Sequence, residues 1–235
     1  MTLFLDVDGA LIDFADAPDR VVVDAALVAR LGSLQRDFGG ALALVSGRNI
    51  DTLDALFAPL RLACAGLHGL QRRHGEVVEQ APGAPAEALA RIREAGLQVA
   101  AKYDGAIVED KGVALGFHWR ADPLAAADFQ ALAASAVMEL GGYHLQHGDH
   151  VVELRPQGAD KGMAIEAFLR EPPFAGRTPA FVGDDLTDEH GFEVVNLRGG
   201  ISVLVGSREP SVARYALHDV PAVHAWLGVH GEAIA

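Results

Sequence analysis

The stretch LFLDVDGALID, residues 3–13, decides the fold, because an apolar strand runs directly into two carboxylates and a glycine. Strand interiors disfavour Asp, so Asp6 and Asp8 mark the end of the strand. Two like charges one residue apart repel each other unless they are solvated or hold something positive. Taken alone, the stretch fits a solvated strand end, with Gly9 starting a turn, as well as it fits a functional site.

The composition bounds the class of protein. With 235 residues, of which 50% are hydrophobic, the chain is long enough for one large or two small domains and is not a disordered chain. It carries 19 basic and 32 acidic residues, a net charge of −13, which argues against nucleic acid or an anionic membrane as the main partner. No apolar run approaches the roughly 18 residues that a membrane span needs.

The single cysteine, Cys64, allows no internal disulfide, which is typical of a reducing cytoplasm. The amino terminus has no basic segment or cleavage site of the kind that marks a signal peptide. We therefore expect a cytoplasmic monomer that acts on a small molecule.

Short apolar runs alternate with amphipathic segments in the outer parts of the chain. Four runs are typical of buried strands: 3–8, 41–46, 179–184 and 200–206. The run 61–66 is a weaker fifth candidate. Segments 24–38 and 161–169 have helical spacing of their apolar residues. This alternation predicts an α/β fold, a Rossmann-like doubly wound parallel sheet with helices on both faces.

The middle of the chain has a different pattern. Two predicted helices are each followed by a predicted hairpin: helix 84–101, hairpin 106–120, helix 123–140 and hairpin 142–155. The pattern predicts a smaller α+β domain over residues 82–155, inserted into a catalytic core of residues 1–81 and 156–235. Pro- and Gly-bearing stretches at 82–87 and 155–160 suit the two crossings.

Polar residues follow three of the predicted core strands. They are Asp6 and Asp8, then Ser46, Gly47 and Arg48, and finally Asp184, Asp185 and Asp188. Each group has a simpler explanation, since Ser and Asp cap helices and an arginine is often a surface cation. If the strands are parallel, however, these residues converge at the carboxyl edge of the sheet, where ligands bind in such folds.

Lys161 adds a positive charge to this set. Asp160 resembles a helix N-cap, which places Lys161 in the first turn, against the positive end of the helix dipole. A solvated lysine tolerates that position, and a bound phosphate makes it favourable.

Converging carboxylates repel one another unless a cation lies between them. Their hard oxygen atoms, without an accompanying His or Cys cluster, favour Mg²⁺ over zinc. Ser46, Arg48 and Lys161 supply donors and positive charge for an anion beside such an ion. The combination predicts phosphoryl-transfer chemistry.

Four ordered motifs resemble the haloacid dehalogenase-like (HAD) phosphatases. They are Asp6-x-Asp8-Gly9, Ser46-Gly47-Arg48, Lys161, and the run GDDLTDE at 183–189. The stretches AGLHG at 65–69, VEDKG at 108–112, HWR at 118–120 and VVELRP at 151–156 are similar, within that superfamily, to the trehalose-6-phosphate phosphatases. The resemblance covers nearly the whole chain.

The resemblance implies roles for the core residues. Asp6 is then the nucleophile that forms an aspartyl-phosphate, and Asp8 is the general acid and base. Mg²⁺ is held by the Asp6 carboxylate, the Asp8 backbone carbonyl and Asp184, with Asp188 in support. The transferring phosphoryl group is held by Ser46 and Lys161, with Gly47 and Arg48 also expected at the substrate.

The resemblance also implies that the inserted domain is a cap that closes over the sugar. Glu109, Lys111 and Glu153 are then expected to bind glucose hydroxyls, with His118 and Arg120 as further substrate contacts. Without the resemblance, Glu109 and Lys111 fit a solvated turn and Glu153 fits an outward strand residue. Two carboxylates and an ammonium can bond several hydroxyls and reject apolar mimics.

Two positions depart from the family pattern. Ala10 stands where the family usually has Thr, so a hydroxyl near the first motif is missing. Gln71 stands where an acidic residue is common.

Four functions remain open at this point. The first is a Mg²⁺-dependent phosphatase for trehalose 6-phosphate. The second is a related phosphatase for sucrose 6-phosphate or mannosyl-3-phosphoglycerate, and the third is a phosphomannomutase-like transferase. The fourth, an inactive sugar-phosphate sensor, would have lost Asp6 or Asp8, and this chain keeps both.

Overall fold

The structure of the protein, a computed structural model, describes residues 1–13 and 21–229. The chain divides into two compact units. The first unit, the core, comprises Met1–Gln80 and Ala159–Ala235, and the second, the inserted unit, comprises Ala81–Gly158.

The described residues form twelve strands and seven α-helices. The strands are β1 (Thr2–Leu5), β2 (Leu42–Val45), β3 (Ala63–Gly66), β4 (Gln71–His74), β5 (Val77–Gln80), β6 (Ile107–Asp110), β7 (Leu115–His118), β8 (Tyr143–Gly148), β9 (Val151–Pro156), β10 (Pro179–Gly183), β11 (Ile201–Val205) and β12 (Tyr215–Leu217). The helices are α1 (Ala25–Asp37), α2 (Ile50–Leu56), α3 (Ala86–Ala100), α4 (Ala126–Glu139), α5 (Lys161–Phe168), α6 (Glu189–Leu197) and α7 (Val220–Leu227).

The core is built on one eight-stranded sheet with the order β12-β11-β10-β1-β2-β3-β4-β5. The six strands from β12 to β3 run parallel, and β4 and β5 add an antiparallel edge. The β1 strand lies between β10 and β2, so its carboxyl end is at the centre of the parallel edge.

The central strands β1, β2 and β10 are buried on both faces. Successive side chains of a strand point to opposite faces, so each strand contributes to both. Leu3 and Leu5 pack in one apolar cluster with α1, α2 and α7, whereas Phe4 packs in another with α5 and α6. A strand covered on both faces has few polar positions, which explains the continuous apolar runs in the sequence. The predicted α/β fold, a doubly wound parallel sheet, is confirmed.

The inserted unit has a four-stranded antiparallel sheet with the order β6-β7-β9-β8. One face of this sheet carries Leu115, Phe117, Val152 and Leu154, which pack against α3 and α4 around Phe129. The other face carries the polar side chains of the same strands.

The boundaries of the inserted unit differ slightly from the predicted 82–155. The unit begins at Ala81 and extends to Gly158. Its end is later because β9 continues to Pro156, which pairs with Tyr143, and the Gln157 N–H donates to the Gly142 carbonyl at 2.8 Å.

Several short elements were absent from the sequence prediction. They are the β4–β5 hairpin, β12, α2, α6 and α7. Among the described residues, no helix has the length and apolar character that crossing a bilayer requires.

Candidate active site

The two motifs that carry carboxylates, one at Asp6 and the other at Asp184, meet at the carboxyl edge of the parallel sheet. Because β1 and β10 are parallel neighbours, Asp6 lies beside the end of β10, and its N–H donates to the Val182 carbonyl at 2.9 Å. Gly9 brings the following loop against Asp184: its φ is +77°, and a Cβ there would lie 2.2 Å from Asp184 Oδ2. Glycine is therefore required by both the backbone conformation and the close approach.

Asp6, Asp184 and Asp188 form a carboxylate triad. One oxygen atom from each lies within 4.8 Å of the others. Asp6 and Asp188 are buried, with 4% and 0% exposure. The sequence predicted that Asp6, Asp8 and Asp184 would meet at this edge, and the triad has Asp188 beside Asp6 and Asp184.

Asp188 holds the backbone of the motif that carries Asp184. Its Oδ2 accepts hydrogen bonds from the N–H groups of Asp184 and Asp185, both at 2.9 Å. Gly183 makes this possible, since a Cβ there would lie 2.3 Å from Asp188 Cγ. Asp185, by contrast, accepts from the Thr187 N–H at 2.7 Å and caps the next turn.

Lys161 is the counter-ion of the triad. Its Nζ lies 2.7 Å from Asp188 Oδ1 and 3.0 Å from Asp6 Oδ2, and the residue is 2% exposed. Asp160 caps α5 by accepting the Met163 N–H at 2.7 Å, which fixes Lys161 in the first turn as predicted. Burial alone would lower the pKa of the Lys161 ammonium, but Asp188 and Asp6 outweigh it and raise the pKa.

One lysine does not balance three carboxylates, of which Asp6 and Asp188 are buried and Asp184 is half-buried. Burial raises the pKa of Asp6 well above its ordinary value, and burial also raises that of Asp188. Burial, followed by the charges of Asp188 and Asp185, raises the pKa of Asp184 to about 7. The triad therefore has an excess of negative charge that a cation would relieve.

The donor set of the triad fits a hard divalent cation. The Asp184 Oδ1 atom is buried and has no hydrogen-bond partner among the residues that the structure describes. Buried polar atoms normally have a partner, so this oxygen has acceptor capacity that the described residues leave unused. Carboxylate oxygens are the ligands that Mg²⁺ prefers. Asp6 and Asp184 are the candidate direct ligands, because both Asp188 oxygens already accept hydrogen bonds.

The second motif follows β2 at the same edge. Ser46 is fully buried, and its Oγ accepts the Arg48 N–H at 3.1 Å. Gly47 leaves room for His68, whose Nε2 would lie 2.7 Å from a Cβ at that position. His68 and Leu67 both have a positive φ, of 53° and 51°, which is rare for residues with a side chain.

Arg48 forms a two-point ion pair with Asp8, and no sequence pattern indicated this contact. Its Nε lies 2.8 Å from Asp8 Oδ2, and its Nη2 lies 2.7 Å from Asp8 Oδ1. The planar fork of the guanidinium orients the candidate acid and base, and the expected contact of Arg48 with the substrate stays a prediction.

Gln71 also has a structural role. Its Oε1 accepts the Ile50 N–H at 3.0 Å, at the start of α2. An amide oxygen therefore serves where the family commonly has a carboxylate.

The polar face of the inserted unit carries a second cluster of charges. Lys111 contacts the Glu153 carboxylate and lies 3.5 Å from Glu109 Oε2, which also lies 2.9 Å from His118 Nε2. Burial would lower the pKa of Lys111, but Glu153 and Glu109 raise it. Burial would raise the pKa of Glu109, but the contacts with His118 and Lys111 outweigh it and lower the pKa. Lys111 and Glu109 are therefore held in their charged forms.

The sheet register extends this cluster to residues that the sequence reasoning missed. Glu109, Gly116, Glu153 and Gln146 are successive cross-strand partners. Arg155, with 2% exposure, fixes the amide by donating from Nη1 to Gln146 Oε1 at 2.6 Å. The alternation of residues in 143–155 was the available signal, because it places Gln146 and Glu153 on one face.

Arg120 does not join this cluster. Its guanidinium lies 2.9 Å from Asp149 Oδ2, and both side chains are exposed. The expected role of Arg120 as a further substrate contact stays a prediction.

Known proteins resemble the chain along its length. The trehalose-phosphatase family model matches residues 4–221. A probable trehalose-phosphate phosphatase of Sinorhizobium fredii (strain NBRC 101917 / NGR234) is 43% identical over 230 residues, which cover 97% of this chain and 85% of that protein. The trehalose-6-phosphate phosphatase of Escherichia coli (strain K12) is 43% identical over 225 residues, which cover 95% and 84%.

The fold has a counterpart among solved structures. The C-terminal domain of C. albicans trehalose-6-phosphate phosphatase matches with a TM-score of 0.82 at 22% identity, covering 97% of this chain and 92% of that one. At this identity the likeness shows a shared fold. With the family model spanning residues 4–221 and two relatives 43% identical to it, the chain belongs to the trehalose-phosphatase family, as the resemblance predicted.

Proposed function

We propose that the protein hydrolyses trehalose 6-phosphate to trehalose and phosphate, with Mg²⁺, through an aspartyl-phosphate on Asp6. The observation that carries the proposal is the carboxylate triad with its buried lysine, in which Asp184 Oδ1 has no hydrogen-bond partner among the described residues. The names of the two 43% identical relatives, both trehalose-phosphate phosphatases, support the choice of trehalose 6-phosphate as the substrate.

In this proposal Asp6, Asp184 and the Asp8 backbone carbonyl hold Mg²⁺, and Asp188 supports them through the backbone. When bound, the ion supplies positive charge that screens the carboxylates from the incoming phosphate. Lys161 orients Asp6 and, with the Ser46 hydroxyl, donates to the oxygens of the phosphoryl group. These donors stabilise the charge that develops during transfer.

The first step forms a bond between an Asp6 oxygen and phosphorus. The bond between phosphorus and the sugar oxygen breaks, and Asp8 gives its proton to that oxygen, so that trehalose leaves. In the second step Asp8 takes a proton from water, and the water oxygen attacks phosphorus. The bond to Asp6 breaks, phosphate leaves and Asp8 is again protonated.

The polar face of the inserted unit is the proposed sugar site. Glu109, Lys111 and Glu153 hold one another in fixed positions, so little side-chain freedom remains to be lost on binding. Carboxylates and an ammonium can bond several hydroxyls at once. An analogue without those hydroxyls would leave the charged groups unpaired.

The test is phosphate release from a panel of sugar phosphates at fixed Mg²⁺, with EDTA as the metal-free control. We expect the highest kcat/KM with trehalose 6-phosphate and no release in EDTA. A higher value with sucrose 6-phosphate or mannosyl-3-phosphoglycerate would contradict the substrate, and activity in EDTA would contradict the metal. An isomeric sugar phosphate as product would show a mutase instead.

A further inference from the structure

Arg208 contacts the turn that carries Asp184 from a distant part of the chain. It lies on the loop after β11, 24 residues beyond Asp184. Its Nε donates to the Asp184 carbonyl at 3.5 Å, and its Nη2 donates to the Asp185 carbonyl at 3.1 Å. The guanidinium therefore binds two successive peptide oxygens.

The backbone of the same two residues, Asp184 and Asp185, is also held through its N–H groups. Their N–H groups donate to Asp188 Oδ2, each at 2.9 Å. Both the N–H and the C=O groups of Asp184 and Asp185 thus have partners, one buried carboxylate and one guanidinium. Few rotations of this turn keep all four hydrogen bonds, so the position of the Asp184 carboxylate is fixed through its backbone.

Arg208 is itself anchored. It pairs with Glu189, in the first turn of α6, and the two side chains are 24% and 18% exposed. The other Glu189 oxygen accepts the Val212 N–H at 2.8 Å, and Arg208 Nη1 donates to the Pro210 carbonyl at 2.8 Å. The loop after β11 is therefore tied both to α6 and to the turn.

We propose that Arg208 is a positioning residue that raises the affinity of the triad for Mg²⁺. The inference rests on the proposed Mg²⁺ dependence and goes beyond it, since Arg208 contacts neither phosphate nor sugar in that proposal. Residues that hydrogen-bond to metal ligands typically change metal affinity by about 10–100-fold when removed. A lysine keeps the charge but lacks the planar fork that reaches two carbonyls.

The test measures Mg²⁺ binding by isothermal titration calorimetry, without turnover, for the wild type and for Arg208→Ala and Arg208→Lys. Arg214→Ala is the matched control, because Arg214 lies on the same loop and contacts the Asn196 carbonyl at 3.4 Å instead of the turn. We expect about a tenfold loss of affinity for Arg208→Ala, a smaller loss for Arg208→Lys, and a change within about twofold for Arg214→Ala.

Thermal melts followed by circular dichroism in EDTA establish which variants fold. If Arg208→Ala does not fold, Arg208→Lys decides, because it keeps the charge opposite Glu189. Wild-type affinity in the folded Arg208 variants, or an equal loss in Arg214→Ala, would overturn the inference. A wild-type protein that binds no Mg²⁺ would also overturn it, and the sugar-phosphate panel reports separately on the proposed reaction.

Discussion

At the scale of one residue, the surroundings of Asp184 show why the fold favours a bound cation. Its carboxylate is largely buried beside Asp6 and Asp188, and one oxygen has no hydrogen-bond partner among the described residues. Burial and the neighbouring carboxylates raise its pKa from 3.8 to about 7. Between about pH 4 and 7, Asp184 of the metal-free folded protein therefore keeps a proton that the same carboxyl has lost in the unfolded chain.

This difference predicts a pH-dependent effect of Asp184→Asn. A raised folded-state pKa contributes stability that is full below about pH 4 and lost as the pH rises through about 7. The amide cannot ionise, so the variant should gain stability relative to the wild type between pH 5 and 8, by on the order of a few kcal/mol. Thermal unfolding in EDTA measures the difference in Tm.

The exposed Asp104 offers the control, since Asp104→Asn should show no such trend. A difference between Asp184→Asn and wild type that stays constant from pH 5 to 8 would contradict the raised pKa.

At the residue scale the sequence predicted which acids converge, but not which atoms they contact. The positions of Asp6 and Asp184 directly after apolar runs were sufficient for these two, because parallel strands end at one edge. The ion pair between Arg48 and Asp8 and the contacts of Arg208 join residues about 20 to 40 positions apart. No local pattern encodes such contacts, since they depend on the packing of separate loops.

At the scale of elements, the turn between β10 and α6 packs closely against the end of β10. A Cβ at Gly183 would lie 2.3 Å from Asp188 Cγ and 2.6 Å from its Oδ2. This oxygen is the one that holds the N–H groups of Asp184 and Asp185. The glycine at the end of the strand is thus required by the side chain that fixes the turn.

Gly183→Ala is therefore expected to be destabilising and to weaken Mg²⁺ binding. Overpacking of this kind typically costs about 1–3 kcal/mol, and the displaced carboxylate would release the turn. Chemical denaturation measures the first effect and Mg²⁺ titration calorimetry the second. Gly141→Ala is the control, because a Cβ at Gly141 meets nothing within 4 Å. Unchanged Mg²⁺ affinity in Gly183→Ala would contradict this role of the turn.

Physical reasons explain why the sequence did not predict some of the elements. The β4 strand reads as polar in the sequence, yet Arg73 is buried there because it pairs with Asp54 at 2.6 Å. Helix α2 has seven residues and β12 has three, too few for a periodic pattern to be recognised. The long apolar runs, by contrast, predicted every strand at the centre of the core sheet.

At the scale of the whole molecule, the proposal separates chemistry from recognition. The triad and Lys161 lie in the core, and the cluster of Glu109, Lys111 and Glu153 lies in the inserted unit. Removing a sugar contact should therefore affect trehalose 6-phosphate more than a phosphate ester without a sugar. Because the chain has a net charge of −13, Lys161 in the core and Lys111 in the inserted unit supply local positive charge for an anionic substrate.

Glu153→Ala tests this separation. Loss of a charged hydrogen-bonding group that contacts hydroxyls should lower kcat/KM for trehalose 6-phosphate by tenfold or more. The value for p-nitrophenyl phosphate should change by less than about twofold, because the aryl group offers no hydroxyls. Steady-state phosphate release measures both substrates.

Glu139→Ala is the matched control in the same unit, since Glu139 forms an exposed pair with Arg91. Equal losses on both substrates in Glu153→Ala would remove this residue from sugar recognition.

The central claim is that Asp6 carries the phosphoryl group between trehalose 6-phosphate and water. The most direct measurement is acid quenching of the enzyme during turnover of trehalose 6-[³²P]phosphate with Mg²⁺, followed by peptide mapping of the label. We predict label on Asp6 in the wild type, and neither label nor turnover in a folded Asp6→Asn variant. Turnover by Asp6→Asn, or label on another residue, would contradict the account.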